Sequence, residues 1–441
     1  MKVERVREKD GKLELMVELS GAEVAQDIQT IASQQIQKNN FEFDQNGETT
    51  AADLLRERLG DAEAAFVLDE GVMRRRASFA LTAAKVDSIG TPVFRCLEHA
   101  REGRPFEYHM VVVMVPEFEL EDLSPVSITI PSYTLKEEEI DEEIQRIADA
   151  SSVSVTDKSH DVVYKGDKVE LAMDTTMDGK KVKPLCTDGR EYSTGVQAMP
   201  DDFDAAIIGM TVGETKTFHF FGPDVVLNPD GSPKMDEYIT TVTLKRIVGS
   251  QAPELNDSWA STVMTGVNNM KELREAVRKR LQEKHDDDYR RMAEGFAANE
   301  LAKRLDVKIP DLVYGVAVKE AKENLVDNLK KQGMTEEKYL EKENLTQQQL
   351  NNDLMIQVRQ QLTRQFALNA YAKKKNMVVT DDDLNNYFES IAPGQANTVH
   401  REFKKEGRMY AARCAALRLK ANRQLVAEAN IKKLGASASE A

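Results

Sequence analysis

From Met270 to Leu305 the chain reads MKELREAVRKRLQEKHDDDYRRMAEGFAANELAKRL. Strong helix formers dominate this stretch and no proline interrupts it. Leu273, Val277 and Leu281 recur at every fourth position, which puts them on one stripe of a helix, and Met292, Phe296, Leu301 and Leu305 continue the apolar series. The same pattern extends over Asn268 to Leu434. After Asp311 come Val313, Val316, Val318, Ala321 and Leu325. From Thr346 the run TQQQLNNDLMIQVRQQLTRQFALNAYAKKKN spaces Leu350, Leu354, Val358, Leu362, Phe366 and Leu368. A last run, Thr398 to Ile431, carries Phe403, Met409, Cys414, Leu417 and Leu425. Over windows this long, propensity and period agree on helix. Rich in Gln, Asn, Lys and Arg, these helices read as an extended bundle rather than a compact enzyme core. Their methionines either fill core gaps or line a surface that accepts many partners.

A chain of 441 residues is long enough for two to four domains. Its 41% hydrophobic and 31% charged residues describe a soluble globular protein. No apolar run approaches the roughly 18 residues of a membrane span, so no membrane partner is expected. The opening MKVERVREKDGK has no apolar core of a secretory signal. Cys96, Cys186 and Cys414 lie far apart and suit a reducing cytoplasm. Residues 1–125 hold 15 Lys+Arg against 24 Asp+Glu, residues 126–250 hold 13 against 23, and residues 251–441 hold 32 against 28. Such an acidic front half argues against DNA as a partner, because phosphate contact needs clustered cations.

Ahead of the helical tract the pattern changes twice. Leu13 to Leu19 alternates as a strand, and Ser20 is placed to cap a helix from Ala22 to about Gln37. Helical patterns return at Ala51 to Gly60 and Ala62 to Asp87, and Phe106 to Val115 is a strand, with Ile128 to Ile130 as a further one. Thr134 to Ser151 is an acidic amphipathic helix with a Thr134/Glu137 capping pattern and a stripe of Ile140, Ile144 and Ile147. Lys168 to Met173, Glu214 to Phe220 and Tyr238 to Ile247 read as strands, Met177-Asp178-Gly179-Lys180 as a hairpin turn, and Asp201 to Ile208 as one short helix. The predicted organisation is multidomain α+β. It has an N-terminal α+β domain over 1–125, a connector helix over 126–153 and a small β-sheet domain with one short helix over 154–250. A long all-α part over 251–434 and a disordered tail over 435–441 complete it.

That order resembles bacterial trigger factor, the ribosome-associated folding chaperone. The likeness rests on VPEFELEDLSPVSITIPSYTLKEEEIDEEI from Val115, on VELAMDTTMDGKK from Val169 with AIIGMTVGETKTFHF from Ala206, and on APELNDSWASTV from Ala252 with ELREAVRKRL from Glu272. The resemblance implies a ribosome-docking first domain, an FKBP-type peptidyl-prolyl isomerase in the middle and a helical chaperone domain with two arms that cradle nascent chains. It also implies unfolded or nascent polypeptides as partners, and opens self-association into a homodimer through the cradle. Two stretches depart from the family pattern. The docking loop, a Gly-Phe-Arg-x-Gly-Lys-x-Pro signature in the family, falls here on Phe41, Glu42, Phe43 and Asp44, where acids replace the cations that meet ribosomal phosphate. Arg74, Arg75 and Arg76 are either a substitute basic contact or one solvated helix face. In the isomerase pocket, catalysis uses an apolar, aromatic-lined site against a barrier of roughly 18–20 kcal/mol. The matching positions are Met173, Met199, Phe203 and Tyr238, with Thr175 for a glycine and Thr240 for an aromatic.

Of the six histidines none forms a ligand pair at helical spacing, and His219 is the one that its strand could aim at the pocket. His285 followed by three aspartates reads as a solvated helix face. No P-loop, GxGxxG or GxSxG is present, so ATP use and acyl transfer have no support; with the histidines unpaired, neither metal nor cofactor is expected. Three functions fit: a trigger-factor chaperone working without ATP, an active prolyl isomerase, and a ribosome-independent holdase or assembly chaperone.

Overall fold

The computed structural model describes residues 1–41, 49–196, 198–227, 233–305 and 308–434. Its contacts divide the chain into two units, Met1–Ser132 with Asp287–Ala441, and Tyr133–Asp286. The expected tail 435–441 and the loop residues Glu42, Phe43 and Asp44 lie outside the described residues.

The first unit opens with β1 (Lys2–Lys9), β2 (Lys12–Leu19), α1 (Gly21–Lys38), α2 (Ala51–Leu59), α3 (Asp61–Ala84), β3 (Ser88–Cys96), β4 (Phe106–Met114) and β5 (Ser127–Pro131). The first four strands make an antiparallel sheet in the order β1-β2-β4-β3. Strand alternation turns Leu13, Leu15, Val17 and Leu19 inward, where they pack with α1–α3 residues such as Val24, Ile28, Leu55 and Leu68. Ser20 caps α1 as expected: its N–H donates to the Glu23 carboxylate at 3.0 Å. The two outer strands were not legible. β1 is almost wholly charged, and β3 is broken by Gly90 and Pro92 at a register shift between Ile89 and Val93. Charges, proline and irregularity are what edge strands carry.

The second unit contains α4 (Glu137–Ala150), β6 (Val153–Thr156), β7 (Lys168–Met177), β8 (Lys180–Lys181), β9 (Thr187–Ser193), α5 (Asp201–Ile207), β10 (Thr215–Leu227), β11 (Pro233–Gln251), α6 (Asp257–Val263) and the first half of α7 (Met270–Lys303). An antiparallel sheet runs β10-β11-β7-β8, with β6 added on β11 and β9 on β7. Asp178 (φ 49°) and Gly179 (φ 74°) form the β7–β8 turn, both in the left-handed region that a two-residue hairpin requires. α4 begins later than the Thr134 pattern suggests. The helix starts at Glu137, after Lys136 in an extended conformation, whose N–H donates to the Glu139 carboxylate at 3.2 Å. Ile140, Ile144 and Ala148 then pack with Trp259, Leu273 and Val277, and the indole N–H donates to the Ser151 hydroxyl at 3.2 Å.

The first unit resumes with the rest of α7 and with α8 (Asp311–Lys331), α9 (Glu336–Glu343), α10 (Gln347–Lys374), α11 (Asp381–Ile391), α12 (Ala396–Lys405), α13 (Met409–Glu428) and β12 (Asn430–Leu434). Phe366, Tyr371, Ala297, Leu301 and Leu425 bury one core with Ile128 and Ile130 of β5. The last predicted run is two helices, separated by Gly407 at φ 72°. Nor does helix continue to Leu434. Ala429 turns extended and β12 pairs in parallel with β5, satisfying backbone groups that β5 would otherwise leave bare. Among the described residues no helix is long and apolar enough to cross a membrane.

Candidate functional sites

Strands β7 and β11 lie side by side, so their register decides what meets inside the middle sheet. It sets Met173 opposite Val242 and Thr175 opposite Thr240. Met173 is 8% exposed, and both threonines are fully buried. Their hydroxyls are 2.8 Å apart, and the Thr175 hydroxyl donates to the Leu185 carbonyl at 3.1 Å. Thr240 is then the donor within the pair, and each hydroxyl proton has an acceptor. The Thr175 N–H reaches the Cys186 sulfur at 3.4 Å. Two polar side chains thus close on each other at the two positions where the resemblance calls for a glycine and a ring.

Phe203, on α5, is fully buried at the centre of an aromatic group. Tyr192, Phe218 and Phe220 approach it edge-on, with centroids 5.3, 5.4 and 5.5 Å away, and Tyr238 stacks on Phe220 at 5.2 Å. Met199 packs partly buried on the same cluster. The Tyr192 hydroxyl donates to Asp204 at 2.5 Å, and Asp204 also accepts the Gly195 N–H at 3.0 Å. Burial, reinforced by that carboxylate, pushes the Tyr192 phenol well above its ordinary range. All four pocket-equivalent residues therefore converge on one cluster. Sequence reading missed Tyr192, whose strand β9 is too polar to recognise, and it missed Phe218 and Phe220 as pocket rings although their alternation in ETKTFHF was visible. The same alternation turns His219 outward, where it pairs with Glu237 at 2.8 Å, so it does not face the cluster.

In the first unit Phe41 packs partly buried on the N-terminal core, with the Arg58 guanidinium 6.0 Å from its ring. The arginine triplet on α3 is not a uniform face. Arg74 is exposed and pairs with Glu70 at 2.7 Å. Arg75 and Arg76 both donate to Asp27, which is 1% exposed, Arg75 at 2.9 Å. Arg76 is itself only 14% exposed and lies 3.7 Å from Glu23. Two of the three cations are committed to an internal carboxylate.

The helices of this unit leave apolar side chains in solvent: Met292, Phe296, Met355 and Ile356 are 40%, 40%, 41% and 55% exposed. Two hollows accompany them. One, of about 700 Å³, is lined by Met114, Phe118, Leu312, Val313, Tyr410 and Leu417; the other, of about 730 Å³, lies among β5, α7 and α10. Both readings of the tract's methionines occur, since Met377 and Met409 pack partly buried against core residues. Among the described residues no group of three His, Cys, Asp or Glu is placed to hold a metal ion.

Fold and surfaces together define a multidomain α+β protein: an N-terminal α+β region, a β-sheet middle and a helical C-terminal part with exposed apolar faces. Residues 1–147 match the family model of bacterial trigger factor protein, and residues 269–427 match that of the trigger factor C-terminus. The two cover more than half of the chain, in order. The trigger factor of Syntrophomonas wolfei subsp. wolfei is 25% identical over 317 residues, covering 71% of this chain and 70% of that protein. That of Agathobacter rectalis is 24% identical over 323 residues, covering 73% and 71%. A solved trigger factor chaperone, described for promiscuous substrate recognition in folding and assembly, aligns with 97% of this chain and 100% of its own at 17% identity. Its TM-score of 0.37 is too low to decide the fold. The chain belongs to the bacterial trigger factor family.

Proposed function

We propose that this protein is a chaperone that works without ATP in the cytoplasm, shielding apolar segments of newly made polypeptides, and that its middle domain is an FKBP-type module without working isomerase chemistry. The observation that carries the chaperone reading is the set of exposed apolar side chains on α7 and α10 in a chain of this family. Weak apolar contacts spread over a surface let a client bind and leave without an energy source. Suppression of aggregation of a chemically unfolded client tests this; no suppression at stoichiometric excess would sink it.

The isomerase half rests on the buried Thr175–Thr240 bond and on Phe203 being enclosed by neighbouring rings. A prolyl ring needs an apolar recess, and polar groups tied to each other offer it no contact. Proline-limited refolding takes tens to hundreds of seconds uncatalysed, so acceleration by catalytic amounts of the protein would overturn this half. A second reading, a holdase that does not dock on ribosomes, is favoured by the acids at Glu42 and Asp44 and by the internal pairing of Arg75 and Arg76. Cosedimentation with ribosomes at low and raised salt decides between the two. We also propose that the helical part forms a homodimer; light scattering that gives the mass of a single chain would refute this.

A further inference from the structure

β5 is half of a two-stranded parallel sheet. The Val126 carbonyl accepts from the Asn430 N–H at 2.8 Å, the Ser132 N–H donates to the Leu434 carbonyl at 2.8 Å, and between them Ser127 to Pro131 run in register with Asn430 to Leu434. In a parallel ladder alternate residues of a strand bond to one neighbour. Val126, Ile128, Ile130 and Ser132 therefore face β12, while the N–H and C=O groups of Ser127 and Thr129 point to the opposite edge. Among the described residues nothing takes those groups. Ile128 and Ile130 bury their side chains in the core beneath, so the strand is anchored on one face while its edge stays open.

That edge borders the hollow of about 730 Å³. Its other walls include Phe296 of α7, 40% exposed, with Arg359 and Arg364 of α10. Arg359 stacks on the Tyr314 ring, its guanidinium 5.6 Å from the centroid, and Arg364 donates to the Asn299 amide at 3.1 Å. Neither has a carboxylate partner among the described residues, whereas the neighbouring Lys303 pairs with Glu300 at 2.5 Å. In a chain of net charge −15 this is a local surplus of positive charge. The strand β12 is the less suitable edge, because its exposed Lys432 and Lys433 are the residues that guard edges against pairing.

We infer that this hollow binds an extended polypeptide segment by strand addition to the free edge of β5, with an apolar side chain against Phe296 and an acidic one between Arg359 and Arg364. The inference rests on the chaperone reading and adds a mode to it. Backbone bonds to Ser127 and Thr129 hold any sequence, and alternate side chains set the preference. The occupant is a peptide with a carboxylate near an aromatic or aliphatic residue, since Arg359 meets only the Tyr314 ring and Arg364 only a neutral amide, and neither has a carboxylate among the described residues.

The test uses the full chain and a short, acetylated and amidated fluorescent peptide of alternating Thr and Val. One Phe and one Glu are set two residues apart, so that both side chains share a face. Anisotropy should show the Glu peptide binding about tenfold more tightly than its Lys counterpart. Arg359→Gln with Arg364→Gln should abolish that difference. N-methylation of the peptide at alternate residues should abolish binding in one phase of the alternation and spare it in the other. Thr129→Pro removes an edge N–H but no bond to β12 and should lower the affinity for both peptides. If that variant does not fold, the N-methylated series decides alone. Equal binding of both N-methylated phases, or a Glu preference that survives the double arginine variant, would overturn the inference. If the peptides fail to bind while aggregation is still suppressed, strand addition falls and the chaperone reading stands. If both fail, both fall.

Discussion

The bond between Thr175 and Thr240 makes a sharp prediction, because each hydroxyl is fully buried and the direction of donation is settled by the Leu185 carbonyl. Thr240→Val removes the donor, but Thr175 keeps its own bond to Leu185, so the loss is that of one internal hydrogen bond, about 1 kcal/mol. Thr175→Val is worse. It leaves the Thr240 hydroxyl without an acceptor in a site that water does not reach, and strips the donor from Leu185, for about 2 kcal/mol or more. The double variant has no orphaned hydroxyl, and with volume nearly unchanged it should cost only about 1 kcal/mol. The effects are thus non-additive by about 2 kcal/mol, the signature of a direct bond. Hydrogen exchange of β7 and β11 amides in the full chain reads this locally, each 1.4 kcal/mol appearing as about a tenfold change in rate. Thr175→Val should speed exchange most and the double variant less. Strict additivity, or a Thr175→Val protein that exchanges like the wild type, would show that the pair is not closed, and would reopen the isomerase reading.

Three further outcomes follow from the geometry. Within the arginine triplet, Arg74→Ala should change stability by less than about 0.5 kcal/mol, whereas Arg76→Ala, which leaves nearly buried Asp27 with only half-exposed Arg75, should cost about 2 kcal/mol; protection of α1 amides measures both, and equal effects would contradict the assignment. Gly407→Ala should cost at least about 1 kcal/mol. It sits at φ 72°, and a Cβ there would lie 2.5 Å from the Phe79 ring; an unchanged thermal midpoint would refute that close approach. The hydrogen bond from His160 to Asp167 raises the imidazole pKa above its ordinary value, outweighing desolvation, with the Asp167 charge adding to it. Its contribution to stability is therefore full below about pH 6.5 and is lost as pH rises through the folded pKa. A proton NMR titration should place the His160 midpoint above that of a free histidine, and a midpoint at or below it would be the contrary result.

Long helices were readable because their signal is local and repeated. The stripe Leu273, Val277 and the run Leu350, Val358, Leu362, Phe366 each recur at the helical period, and every one of these residues is buried. β2 was readable for the same reason at period two, and so was the Ser20 cap. The collinear order of such signals was enough to name the family. The outer strands β1 and β3 were hidden, since edge strands are charged or broken by design, and β12 was hidden inside a helical composition because its strand state depends on β5, some 300 residues earlier. Arg74, Arg75 and Arg76 are chemically identical in sequence. Only the packing of α3 on α1 separates one solvated cation from two that hold Asp27. Likewise Thr175 and Thr240 looked like two separate losses in a pocket, and only the register of β7 against β11 turned them into one closed bond. Periodicity needs nothing but neighbours along the chain. Pairing across the chain is settled by which surfaces meet, and in this protein those pairings decide what each site has left to offer a ligand.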